Sequence, residues 1–141
     1  MQEKSTDDLR QELMERPDLD TYLKENQASF VQDAITGQLA AYFERGNQSK
    51  AALARKAGMS EVYLHQVFSG RRKPSRDRLL CLCVGMGLTL DETQQMLKRT
   101  ACAPLYPKLR RDAIVLHGIL HGFSLNEIND KLFVENEKTL Y

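Results

Sequence analysis

Nothing in the 141 residues comes near the roughly 18 consecutive apolar positions that a membrane span requires. The opening MQEKSTDDLR also lacks the apolar stretch of a secretory signal, which predicts a cytoplasmic protein with no membrane contact. Cysteine is scarce. Cys81, Cys83 and Cys102 are odd in number and show neither a disulfide framework nor Cys-x-x-Cys spacing, so reduced thiols are expected. A glycine-rich phosphate loop, a flagged serine nucleophile and an evident pair of carboxylates are all missing, so neither an enzyme nor a cofactor is expected. No stretch alternates apolar and polar residues long enough for a strand, and no segment repeats. What remains is 42% hydrophobic residues, enough to fill one core in a chain too short for two large domains.

Apolar residues recur at three and four, which predicts an all-α protein. Leu9 and Leu13 mark a first helix behind Ser5 and Thr6, and Pro17 can open a second through Leu19, Tyr22 and Leu23. From Ser29 the stripe Val31, Ile35, Leu39, Tyr42 and Phe43 predicts a longer helix closed by Gly46 and Asn47. Two short helices follow, Lys50 to Ala57 behind Ser49 and Glu61 to Ser69 behind Ser60, with Gly58 and Met59 as a tight turn. Pro74 and Ser75 start a helix that runs to Gly85, and Thr89 caps the next through Met96 and Leu97. Ala103 to Pro107 holds two prolines and is expected to be a short linker. An apolar helix over 112–121 and a last one opened by the capping box Ser124 to Glu127 complete the chain.

The formal net charge of +1 conceals three unlike pieces. Residues 1–46 carry five Lys/Arg against ten Asp/Glu, residues 47–78 carry eight against two, and residues 79–141 carry seven of each. A local +6 inside a nearly neutral chain is a field suited to phosphate, although a basic run can also be a solvated face.

The segment SKAALARKAGMSEVYLHQVFSGRRKPSRDRLLCLCVGMGLTLDE, which lies inside that basic piece and beyond it, resembles the Cro and lambda-repressor (XRE-type) helix-turn-helix family. Leu53 and Ala54 stand where the first motif helix packs on the second, Gly58 occupies the turn, and Leu64 and Val67 fall on the inner face of the second. Gly70, Pro74 and Ser75 complete the pattern. The resemblance covers about residues 30–100 and implies a lambda-repressor-like five-helix core, here with extra N-terminal and C-terminal helices. Three parts follow: an acidic extension over 1–28, a DNA-binding domain over 29–101, and a C-terminal helical extension over 102–141. The block LYPKLRRDAIVLHGILHGFSLNEINDKLF is similar to the tails of uncharacterised bacterial helix-turn-helix proteins, a likeness that implies no ligand.

What the family likeness implies is a transcriptional regulator, a repressor above all, bound to double-stranded DNA. Glu61, Val62, His65 and Gln66 on the outer face of the second helix would read base edges. Gln66 can pair bidentately with adenine, and Val62 can touch a thymine methyl. Glu61 stands where a neutral residue is usual. It is either a favourable charge at a helix N-terminus or an acceptor for cytosine N4. Lys50, Ser60, Tyr63, Arg71, Arg72 and Lys73 would hold phosphates.

Cys81, Val84 and Met86 make the outer side of the helix after Ser75 apolar, which calls for a cover from the terminal helices or a second subunit. A homodimer, and a protein partner reached through the terminal helices, are both open. The competing function is a protein-interaction module, antitoxin-like or an adaptor, built on the same scaffold. His117 and His121 lie four apart, a zinc-compatible spacing that Cys102 could join, but core or surface histidines are expected and no metal is assigned.

Overall fold

The computed structural model describes residues 4–15, 18–26 and 31–141, with side chains of the last stretch from residue 35. Among these residues there are nine helices and no strand. They are α1 (Thr6–Glu15), α2 (Leu19–Glu25), α3 (Val31–Gly46), α4 (Lys50–Lys56), α5 (Glu61–Phe68), α6 (Arg76–Gly85), α7 (Leu90–Arg99), α8 (Arg110–Leu120) and α9 (Leu125–Val134). Pro17, Ser29 and the side chain of Val31 lie outside the described residues.

Helix starts follow their caps. Ser49, Ser60, Ser75, Thr89 and Ser124 each accept a hydrogen bond from a backbone N–H of the first turn, and Thr89 and Ser124 close full capping boxes with Glu92 and Glu127. Helix α2 departs from expectation: Asp18 caps it, accepting from the Asp20 N–H. So does α8, which begins at Arg110, two residues earlier than its apolar pattern, with no side-chain cap.

Six helix ends share one geometry. After α4 the Met59 N–H reaches the Ala54 carbonyl (3.0 Å) and the Gly58 N–H reaches that of Arg55 (3.3 Å), with Gly58 left-handed at φ 63°. The same paired bonds close α5, α6, α7, α8 and α9. At two of these ends the left-handed residue is not glycine: Ala101 has φ 59° and Asn136 has φ 61°.

The core runs from Ile35 to Leu140 without a break at the linker. Leu39, Leu53, Leu64, Leu80, Leu97 and Ile128 are among its fully buried members. Helix α4 packs on α5 and α6, while α9 packs on α8 and α6. Gly118 lets α8 and α9 approach closely, since a Cβ there would lie 2.4 Å from Ile128 Cγ1. The linker is pinned: Gln94 brackets Leu105 by bonds to its N–H (2.7 Å) and carbonyl (2.9 Å), and buried Asp112 accepts from Arg76 (3.0 Å) and the Tyr106 N–H (2.9 Å).

Residues 138–141 return as a strap. Arg111 donates to the carbonyls of Lys138 (2.8 Å) and Thr139 (3.1 Å) while gripping Asp77 of α6 with both ends of its guanidinium. Buried Leu140 donates its N–H to Asn129 Oδ1 (2.8 Å), and its carbonyl lies 3.9 Å from Cys81 Sγ. The Tyr141 ring lies against Gly58, where a Cβ would come within 2.4 Å of it, and its hydroxyl donates to Asn126 (2.8 Å). The apolar face of α6 is therefore covered from within: Cys81 is buried beneath the strap, Met86 is buried, and Val84 is half-buried.

Candidate nucleic-acid interface

Helix α4 presents Leu53 and Ala54 inward, both buried. Its end meets α6 at Gly85, where a Cβ would lie 3.2 Å from Ala57 and from Leu53 Cδ1. The left-handed Gly58 then turns the chain sharply, so that only three residues separate the end of α4 from Ser60, the cap of α5. Helix α5 is anchored on one side only. Leu64 and Val67 are fully buried, whereas Glu61, Val62 and His65 are exposed and Gln66 is half-buried. Among the described residues the Gln66 carboxamide has no hydrogen-bond partner. Its backbone carbonyl instead fixes the following loop, accepting from the N–H groups of Arg71 (2.9 Å) and Arg72 (3.2 Å) and from Ser69 Oγ (3.1 Å).

The six residues expected at phosphates divide by environment. Arg71, Arg72 and Lys73 are exposed on the loop after α5. Arg72 lies with its guanidinium carbon 5.6 Å from the centre of the Tyr63 ring, which joins loop and helix. Lys50 stands beside the last turn of α5, its ammonium 5.5 Å from the Phe68 ring, and that ring packs edge-on against Phe43 at 5.4 Å. Ser60 accepts from the Tyr63 N–H through its hydroxyl oxygen. Tyr63 is half-buried, a platform for cations more than an exposed contact.

Ion pairing is scarcest among these cations. Outside 47–78, Lys4, Arg10, Arg45, Arg110 and Arg111 meet carboxylates, while Lys98, Arg99, Lys108, Lys131 and Lys138 meet none among the described residues. Within 47–78, among the described residues, only Arg76 meets one, through Asp112. Lys50, Arg55, Lys56, Arg71, Arg72, Lys73 and Arg78 have no carboxylate within 4.0 Å among the described residues. The basic block therefore keeps nearly all its charge.

Arg55 and Arg78 escape the sequence pattern. Arg78 follows Asp77 directly, but successive helix positions point apart, and Asp77 is gripped by Arg111, 34 residues away. Arg78 turns instead to Tyr63, 5.2 Å from the ring centre, and to the Gly58 carbonyl (3.4 Å).

His117 and His121 are exposed with ring centres 4.2 Å apart, and among the described residues no group of three or more His, Cys, Asp or Glu is placed to hold a metal ion. Burial pushes the Cys81 and Cys83 thiols up to about 12, which keeps both protonated and inert near neutrality. Among the described residues no helix is long and apolar enough to cross a membrane.

Residues 34–96 match the protein family described as a helix-turn-helix domain. The matched span begins in α3, contains α4, the elbow, α5 and α6, and ends in α7 at Met96. It points to DNA binding. Helices α1, α2, α8 and α9 lie outside it. No curated protein and no solved structure matches the chain.

Proposed function

We propose that the chain is a sequence-specific transcriptional regulator of the lambda-repressor-like (XRE) type, with α3 to α7 as its five-helix core. It acts on double-stranded DNA in the cytoplasm as a repressor and a homodimer. Residues 29–101 form the binding domain, between an acidic extension over 1–28 and a helical extension over 102–141. The observation that carries this reading is the set of six cations without a carboxylate partner, Lys50, Arg55, Arg71, Arg72, Lys73 and Arg78, beside a helix whose outer face is open. A phosphate backbone supplies the missing anions, and α5 fits the major groove by diameter.

Gln66, Val62, His65 and Glu61 read base edges in this proposal, and Lys50, Ser60, Tyr63, Arg71, Arg72 and Lys73 fix the backbone. In a dimer the two copies of α5 lie one DNA turn apart, about 34 Å. Exposed Leu13, Met14, Leu19 and Leu23 on the acidic helices favour a second reading, a protein-docking module that contacts its partner through the N-terminal extension.

Selection from a random duplex library, followed by binding to the winning and a scrambled duplex at several salt concentrations, separates the two. An enriched motif with a steep salt dependence supports the regulator. Weak binding without preference supports the docking module. Gln66→Ala should relax preference at one base position at a cost of about 1–3 kcal/mol, while Arg72→Ala should weaken every sequence alike. Equal losses on both duplexes for Gln66→Ala would remove its role as a reader.

A further inference from the structure

The elbow between α4 and α5 opens into a groove of about 500 Å³. Ala54, Arg55, Gly58, Met59, Ser60, Tyr63 and Arg78 line it. Two arginines thus line one groove, and neither has a carboxylate within 4.0 Å among the described residues. Like charges gathered in one cleft repel each other unless an anion occupies it. Asp77, on the same helix as Arg78, is held by Arg111 of α8 and does not compensate it.

Arg78 is also held in place. The Tyr63 ring and the Gly58 carbonyl fix a half-buried guanidinium that would otherwise lose more side-chain freedom on binding. The Ser60 hydroxyl oxygen is engaged by the Tyr63 N–H, but its own proton has no acceptor among the described residues and can be donated into the groove. Two arginines and a hydroxyl donor supply the donor chemistry that a phosphate oxyanion takes.

We infer that this elbow groove is a phosphate seat, filled by a backbone phosphodiester of bound DNA and held chiefly by Arg55 and Arg78. The inference rests on the DNA-binding reading above and adds two contacts to it, on the side of α5 where the chain enters the helix. Both contacts fix position and carry no base preference.

Binding of the full chain and of Arg55→Ala/Arg78→Ala to a scrambled duplex, across a salt series, tests it. Each lost contact should flatten the plot of log affinity against log salt by about 0.9, so the double variant should flatten it by about 1.8. The loss should be the same on the selected and scrambled duplexes. Arg78→Lys should keep the slope and lose part of the affinity, because it retains the charge and loses the fork; it also controls for folding, with thermal unfolding of each variant. A slope unchanged in the double variant, while Arg72→Ala still lowers it, overturns the seat and leaves DNA binding intact. Absence of salt-dependent DNA binding in the unaltered chain overturns both. Titration with inorganic phosphate alone distinguishes the source. Saturation of the groove by free phosphate, with the DNA slope unaffected by the double variant, would make it a small-anion site and overturn the phosphodiester assignment.

Discussion

The chain carries a helix pair at each end, and the two are held together by opposite means. In the C-terminal pair, α8 buries Val115 and Leu116, α9 buries Ile128 and Leu132, and Asp112 and Arg111 tie α8 back to α6. In the N-terminal pair, α1 buries no residue and α2 buries Tyr22, while Lys4, Glu12 and Asn26 form a polar clasp between them. Leu13, Met14, Leu19 and Leu23 are left exposed there. Amphipathic patterning is thus present at both ends, but only the C-terminal pair spends it on the common core. An apolar stripe specifies that a face wants cover, and the number of elements within reach decides whether it gets any.

The largest blow to this contrast is Ile128→Ala. That side chain is fully buried against Gly118, and its truncation should cost about 2–5 kcal/mol in urea unfolding. Next comes Asp112→Ala, which strips Arg76 and the Tyr106 N–H of their acceptor and should cost about 2–3 kcal/mol. At the joint between the binding domain and the C-terminal pair the sign reverses. Ala101 sits in the left-handed region, so Ala101→Gly should raise stability by about 0.5–1 kcal/mol, and a loss on thermal unfolding would show that its backbone is not under strain.

Acid supplies a reference between the two pairs, in the central domain, where Arg45 of α3 holds Glu92 of α7. The Arg45 guanidinium, followed by the Thr89 N–H, lowers the Glu92 carboxyl from its ordinary 4.5 to about 2. A lowered carboxyl stabilises the fold fully above about pH 4.5 and loses that contribution as pH falls toward 2. The pair is partly open to water, so the effect should be no more than about 1 kcal/mol. Glu92→Gln should abolish this acid limb in pH-dependent unfolding while leaving the Thr89 cap. Smallest of all is Leu19→Ala, at under about 0.5 kcal/mol, because that side chain is 60% exposed. A cost near that of Ile128→Ala would place the N-terminal pair in the common core and erase the contrast.

Much of the fold is legible in local chemistry. The hydroxyls of Ser49, Ser60, Ser75, Thr89 and Ser124 announce their helices, and each does bond the first turn. Glycines at 58, 70, 87 and 122 announce the ends. Ala101 gives no such signal, since nothing about alanine suggests a positive φ. The start of α8 is equally silent: Arg110 and Arg111 extend that helix while bonding Glu135 and Asp77, partners 25 and 34 residues away. The outer face of α5 is visible in sequence through the spacing of Leu64 and Val67. Arg55 and Arg78 are not, because they stand 23 positions apart on different helices and only the packing of α4 on α6 brings them to one groove.

The strap over Gly58 also sets an order in time. Tyr141 lies 83 positions after the glycine it covers, so at about 5–20 residues per second the ribosome needs roughly 4–17 s to deliver it. Once Cys81 has been added, 60 positions before Tyr141, the nascent chain holds the residues of α4, the elbow and α5, yet Gly58 stands bare and Cys81 lacks its lid. The elbow is among the first parts of the core to be synthesised and among the last to be finished.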